Sequence, residues 1–574
     1  MKKFLIGLVA GVLLAFLTGF ILVFALIRVG EPAPSVQAGS TLVISLHGEA
    51  PERPPFQLPL PALESRSPAT VLELWAMLER AATDPKIQAV ALFPRGVEIG
   101  WGKMQEIRDG LLKFKKSGKP LVAYLRNPGT REYYLATAAD AIYMSREDLL
   151  DLKGLRVEAM YLRDTLNKLG VEVEIEHAGK YKDAGDMLTR TSMSPETREV
   201  MNSILDEVYS YLTQTIAESR DRTPEEVRAL LDEGPFLAAD AVKAGLVDKL
   251  VYEDEMFDLL KERLGQKEIH KLSHHRYLKA AGKTEGQRIA FVVGSGSIIA
   301  GSSSGGFGED EALWSRDFIR TLRDVRKDDG IKGVILRIDS PGGDAIASDE
   351  ILREVRLLHE KKPMVISMSD MAASGGYYIA MTGDPVLAYR NTYTGSIGVL
   401  FGKVNLRGLY DKIGVRKEIL TRGRFAAIDS DYQPLNKEGR AKLREGINSV
   451  YDGFLRVVSE GRNKQRGEIE PLAQGRVWLG IQAERNGLVD ELGGLDRAVA
   501  LIKEKAGIGA GEHVRLIPYP KKRSFWEYLM NQGADTLTME GELTHLSKLV
   551  NGPDLRLFQH GNLLRLMPYS IDVR

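Results

Sequence analysis

The sequence predicts an α/β protein built from two tandem copies of one unit, preceded by a single N-terminal transmembrane helix. Three observations carry this reading. Ile87-Gln88-Ala89-Val90-Ala91-Leu92 aligns with Ile331-Lys332-Gly333-Val334-Ile335-Leu336, and Tyr133-Tyr134-Leu135-Ala136 with Tyr377-Tyr378-Ile379-Ala380, both at an offset of 244. After a two-residue slip, Gly245-Leu246-Val247-Asp248 meets Gly487-Leu488-Val489-Asp490, so the repetition persists to the end of each copy. Within each copy short β-branched runs alternate with amphipathic helical stretches, the pattern of βαβ units around a largely parallel sheet.

Taken in order, Lys2 and Lys3 precede an uncharged apolar run over 4–27 that ends at Arg28. As a helix at about 1.5 Å per residue the run reaches roughly 36 Å, enough for a hydrocarbon core of about 30 Å. Residues 1–30 therefore read as an anchor; the competing reading is a cleaved leader with Val36-Gln37-Ala38 as its site. The two lysines hold the N-terminus in the cytoplasm and send the rest of the chain across the membrane. Residues 31–68 are rich in proline and read as a tether with one strand, 41–46. The first repeat covers 69–251, a charged linker 252–288, the second repeat 289–506, and an extension of unassigned role 507–574. In the second repeat the expected order is strand 289–293, helix 315–327, strand 333–338, helix 346–358, strand 364–367, helix 374–381 and strand 386–389.

Composition narrows the function. With 574 residues the chain holds several domains rather than one small binding module. Lys plus Arg and Asp plus Glu both total 78, so no basic excess draws nucleic acid to it. Zero cysteines exclude a thiolate nucleophile and Cys-ligated metal. Neither a metal-ligand cluster nor a Walker-type phosphate loop is present in the sequence, so no cofactor is expected.

The duplication supplies an internal control: a chemically charged difference at a matched loop asks for a functional reason. After strand 333–338 the second copy has Ser340-Pro341-Gly342-Gly343-Asp344, where the first has Pro94-Arg95-Gly96-Val97. A Gly-Gly pair lets a ligand approach backbone amides closely and can supply an oxyanion hole. Next, Met371-Ala372-Ala373-Ser374-Gly375-Gly376-Tyr377 stands opposite Asn127-Pro128-Gly129-Thr130-Arg131-Glu132-Tyr133, placing Ser374 against Thr130. Small neighbours at a strand-to-helix junction leave the serine hydroxyl accessible; the plainer alternative is a helix cap. A serine nucleophile needs a base, and neither His177 nor His359 is well placed in the repeats. Lys182, in Gly179-Lys180-Tyr181-Lys182-Asp183, faces Ala426 in the other copy, a lysine in one copy only. To act as a base it must be desolvated among neutral hydrogen-bond partners, and the hydroxyl of Ser396, in Thr394-Gly395-Ser396-Ile397-Gly398, suits that task; as a plain turn residue it would have none.

These residues, together with the anchor and the duplication, resemble the long, duplicated form of the protease IV-like signal peptide peptidases, the Ser-Lys peptidase family S49, over about 41–506. The motifs are Ser-Pro-Gly-Gly at 340–343, Met-Ala-Ala-Ser-Gly-Gly-Tyr at 371–377, Thr-Gly-Ser-Ile-Gly at 394–398 and Tyr-Lys at 181–182. The resemblance implies two crotonase/ClpP-like domains, Ser374 as nucleophile, Lys182 as base, Ser396 orienting it, and oxyanion amides at Gly342, Gly343 and Gly375. It also implies a homo-oligomer, a tetramer, on the outer (periplasmic) face of the bacterial cytoplasmic membrane, degrading signal-peptide remnants and other unfolded apolar peptides. A crotonase-type acyl-CoA enzyme and a non-catalytic, peptide-binding membrane scaffold are the alternatives.

Overall fold

The computed structural model describes residues 35–55, 67–280, 285–303, 312–521 and 563–567, with Val573 and a few positions between 7 and 19. The expected anchor lies almost wholly outside them; among the described residues no helix is long and apolar enough to cross a membrane.

The first half contains β1 (Ser40–Gly48), α1 (Val71–Thr83), β2 (Ile87–Val97), α2 (Trp101–Lys115), β3 (Leu121–Leu125), α3 (Thr130–Ala136), β4 (Ala141–Met144), β5 (Glu172–Ala178), the long α4 (Pro195–Arg220), β6 (Lys249–Leu250) and β7 (His270–Ser273). The second contains β8 (Gln287–Ser295), β9 (Ile298–Ile299), β10 (Leu313–Trp314), α5 (Ser315–Lys327), β11 (Ile331–Ser340), β12 (Gly342–Asp344), α6 (Ala345–His359), β13 (Met364–Ala373), α7 (Gly375–Tyr378), β14 (Val386–Ala388), β15 (Tyr393–Gly395), β16 (Val399–Asn405), α8 (Lys437–Arg462), β17 (Val477–Leu479), β18 (Glu491–Leu492) and α9 (Leu495–Lys505). β19 (Val514–Tyr519) and β20 (Leu563–Leu566) follow.

The duplication is visible as topology. One sheet runs β6-β4-β3-β2-β1-β7 and is parallel throughout. The other runs β18-β14-β13-β11-β8-β19 in the matching order, again parallel, with β15 and β17 added beyond the end of β13. Helices α4 and α8 are both 26 residues long and both open on a polar cap, Ser194 accepting from the Thr197 amide and Asn436 from that of Gly439.

Each sheet extends past the boundaries read from sequence. The strand expected in the tether 31–68 is β1, which sits inside the first sheet between β2 and β7. β7 falls in the expected linker 252–288 and β19 in the expected extension 507–574, yet each forms the same edge of its sheet. Helix 315–327 has its expected ends, whereas the strands at 364–373 and 331–340 run on to the glycine corners.

A third sheet, β10-β9-β12-β20-β16-β5, stitches the halves together. β5 of the first half lies antiparallel on β16 of the second for seven residues, from Glu172↔Asn405 to Ala178↔Val399. Arg440 and Arg444 on α8 pair with Glu174 and Glu176 of β5, fixing that strand from the side. Apolar packing also crosses the boundary: the first half's core takes in Ala373, Tyr393 and Val477. The strand carrying the second copy's glycine corner is thus built into both halves.

Candidate active site

The site forms where three turns meet. β13 ends at Ala373, and the chain reverses through Ser374 (φ 53°, ψ −114°) into α7. A non-glycine residue in that region is strained and persists only where surrounding structure dictates it, as on the sharp strand-to-helix turns that present a nucleophile. Here the Ser374 amide is held by the Gly395 carbonyl at 2.8 Å, and the Ser374 carbonyl accepts from the Tyr378 amide at 2.8 Å. Ser396 is also left-handed, at φ 50°, with its amide bonded to the Arg476 carbonyl.

The third turn delivers Lys182. β5 ends at Ala178, and residues 179–182 fold against the 474–476 turn through the Tyr181 amide on the Gln474 carbonyl at 2.7 Å. A Cβ on Gly475 would lie 2.6 Å from Lys182 Cβ, and one on Gly398 3.0 Å from its Cδ. Two glycines therefore grip the stem of the lysine, and only because they lack side chains can it pass between them.

Between these turns, Lys182 Nζ lies 2.8 Å from Ser374 Oγ, 2.9 Å from the Ser396 carbonyl oxygen and 3.0 Å from Ser396 Oγ. All three side chains are 0 % exposed, and all belong to one chain. Burial drives the Lys182 pKa well below the ordinary lysine value; Asp183 opposes that shift, and the Arg565 cation adds to it. Asp183 is itself buried, which raises it to about 7 even though it accepts a hydrogen bond from Thr197 Oγ1. The acid next to the lysine is thus turned toward α4, and burial disfavours its charge.

The expected oxyanion glycines meet at one corner. Gly342 (φ 94°) and Gly375 line one corner: a Cβ on Gly342 would come within 2.5 Å of the Gly375 amide nitrogen. Gly375 opens α7, where amides lack intrahelical partners. The Gly342 amide reaches Ser340 Oγ at 3.2 Å, a long bond. A Cβ on Gly343 would strike the Ile298 carbonyl oxygen of β9 at 2.1 Å, and the Gly343 backbone pairs with Arg565 of β20. His359 is engaged by Asp384 and His177 by the Gly179 carbonyl, both away from the serine.

The equivalent corner of the first half is filled from within. Glu132, which matches Gly376, accepts from the Val97 amide at 2.6 Å through one carboxylate oxygen and from the Gly129 amide at 3.0 Å through the other. Thr130 stands where Ser374 would be, and Ala426, opposite Lys182, is exposed. A buried carboxylate on those amides leaves no room for a developing anion.

Comparison with known proteins agrees with a duplicated chain. A model of peptidase family S49 matches residues 113–267 and again 356–509. The chain is 37% identical over 499 residues to the serine protease SPPA, chloroplastic, of Arabidopsis thaliana, covering 85% of this chain and 72% of that one. It is 34% identical over 442 residues to Protease 4 of Haemophilus influenzae, covering 74% and 71%. The solved ClpP1 from Listeria monocytogenes aligns with 36% of this chain and 91% of its own at 15% identity and TM-score 0.22, too distant to bear on the fold. With the family matched in both repeats and relatives spanning most of its length, the chain belongs to peptidase family S49 and is a serine peptidase.

Proposed function

We propose that this peptidase works through a Ser374–Lys182 dyad, anchored on the outer face of the cytoplasmic membrane, and degrades signal-peptide remnants and other unfolded apolar peptides. The observation that carries the dyad is the 2.8 Å approach of Lys182 Nζ to Ser374 Oγ with both side chains buried. A neutral amine has two N–H donors and one lone pair. The Ser396 carbonyl and hydroxyl oxygens take the two donors, which aims the lone pair at the Ser374 O–H.

Ser374 Oγ attacks the substrate carbonyl while its proton passes to Lys182 Nζ; the C–O bond forms, and the carbonyl oxygen becomes an anion facing the Gly375 and Gly343 amides. The C–N bond then breaks as Lys182 returns the proton to the leaving amine. Water, deprotonated by Lys182, then attacks the acyl carbon; the C–Oγ bond breaks, Lys182 returns the proton to Ser374 Oγ, and the acyl group leaves as a carboxylic acid. Ser396 touches only the base and is a positioning residue. The run 4–27 after Lys2 and Lys3 supports the anchor, and a tethered site meets segments leaving the bilayer before it meets folded soluble proteins. Assembly into a homo-oligomer belongs to the same reading.

A fluorophosphonate probe tests it: the label should map to Ser374, and vanish in Ser374→Ala and Lys182→Ala. Full turnover by a folded Ser374→Ala protein would end the proposal.

A further inference from the structure

The groove beside Ser374 already contains a peptide strand, and it is the chain's own. β20 lies antiparallel to β12 on one side, pairing Leu566 with Gly342, Arg565 with Gly343 and Leu564 with Asp344. On the other side it pairs Leu564 with Leu400 and Leu563 with Phe401 of β16. The Met567 amide donates to the Pro341 carbonyl at 2.8 Å. This is β-strand addition, in which backbone pairing gives affinity and alternate side chains fill pockets. Its register is informative. The Arg565 carbonyl oxygen lies 2.0 Å from where a Cβ on Gly342 would be and 3.1 Å from where one on Gly375 would be, so it sits in the corner assigned above to the oxyanion. Arg565 therefore holds the place of the residue whose carbonyl is attacked.

The Arg565 side chain is 4 % exposed and fills a pocket of the second half. Its guanidinium lies 3.6 Å from the centroid of the Tyr378 ring and 5.2 Å from that of Phe454, and Nη1 donates to the Ala345 carbonyl at 2.9 Å. Asp344 and Asp349 bring negative charge to the same pocket, and Asp349 accepts from the Tyr378 hydroxyl at 2.6 Å. A ring face and a backbone carbonyl meet the planar cation, and the Asp344 and Asp349 carboxylates favour its charge against the burial that disfavours it. Leu564 and Leu566, one residue to either side, are buried in an apolar patch with Ala184 and Leu400.

We propose that this pocket selects arginine or lysine at the residue on the acyl side of the cleaved bond, within an otherwise apolar strand. The proposal rests on the peptidase reading and narrows its substrate class. A leader remnant has that character where its basic N-terminal region meets its apolar run.

The test uses the full-length protein and Arg565→Ala, in which the pocket is vacated. Two internally quenched peptides carry Leu-Arg-Leu or Leu-Leu-Leu in the same context, and mass spectrometry locates the cut. In Arg565→Ala the arginine peptide should be cleaved after arginine with kcat/KM about tenfold or more above the leucine peptide, as expected for a charge-assisted contact, and the unmodified protein should turn over both peptides more slowly. Asp349→Asn should lower that ratio several-fold. A ratio of one or less, or cleavage away from arginine, in protein whose Ser374 still takes the fluorophosphonate label, overturns the pocket assignment and leaves the peptidase reading intact. Loss of both cleavage and label overturns both.

Discussion

Glu52 and Arg337 form an ion pair that is closed to solvent: Glu52 Oε1 accepts from Nη2 at 2.8 Å and from Nε at 3.0 Å. Ser369 Oγ donates to the same oxygen. Nearby, Lys103 of α2 bridges Asp339 at 2.7 Å and Asp370 at 3.4 Å. The first half and the segment leading into it are thus pinned by charge to the strands that carry the glycine corners. Removing one partner of a buried pair leaves the other uncompensated, so Arg337→Met should cost about 3–5 kcal/mol in denaturant unfolding. Glu52→Gln combined with Arg337→Met should recover much of that loss. An unchanged midpoint in the single variant would show that the pair does not join the halves.

The dyad should behave as a unit. Ser374→Ala, Lys182→Ala and the double variant should show similar residual kcat, because each removes the same proton transfer. Multiplicative losses in the double variant would mean that serine and lysine act in separate steps.

Gly475 makes a sharper test of geometry than either dyad residue. Its φ is 79°, and a Cβ would stand 2.6 Å from both the amide nitrogen and the Cβ of Lys182. Gly475→Ala must therefore move the lysine without removing any reacting group. A displacement of about 1 Å costs on the order of 100-fold in rate, so kcat should fall by that order. Wild-type turnover in this variant would show that the amine tolerates displacement.

Ser374 and Lys182 are legible because the duplication sets a reactive residue against an inert one at matched positions, whereas Ser396 has no such contrast and is singled out by the family resemblance. Gly398 and Gly475 were silent, since a glycine in a turn looks alike whether it frees a backbone or makes room for a neighbour's stem. Glu132 was missed for the converse reason: its match is a glycine, and nothing local says that its carboxylate folds back onto the Val97 and Gly129 amides. The edge strands β7 and β19 share topology without shared motifs, because a short edge strand needs backbone pairing more than particular side chains. The third sheet joins β5, β16 and β20 from distant parts of the chain, and such pairing leaves no periodicity in any one window. Local pattern gives the repeats; the way they interlock depends on contacts between them.

Activity should rise with pH. The reacting amine must be neutral, and burial places its pKa well below that of a free lysine, so the acidic limb of kcat/KM reports Lys182 losing its proton. Asp183 pulls the lysine pKa upward, so Asp183→Asn should move that limb to lower pH. A limb that stays in place, or moves to higher pH, would assign it to another group.

The same shift makes a prediction about stability, with a definite sign. In the unfolded chain Lys182 keeps its proton to about pH 10.4, whereas in the folded chain burial releases it at lower pH. Between those two values the unfolded state holds the extra proton, so the contribution of Lys182 to stability rises with pH. Below the folded value the penalty is at its full size, and above the unfolded value it is gone. Lys182→Met removes the titration while keeping an apolar stem between Gly398 and Gly475. The variant should therefore unfold at higher denaturant than the wild type near pH 7, although Ser374 Oγ and the two Ser396 oxygens lose a partner, and its advantage should shrink as pH approaches 10. An enzyme that gains stability by losing its base is the expected trade between a strained site and its function. A difference independent of pH, or a wild type more stable at pH 7, would mean that the lysine is not held in its neutral form.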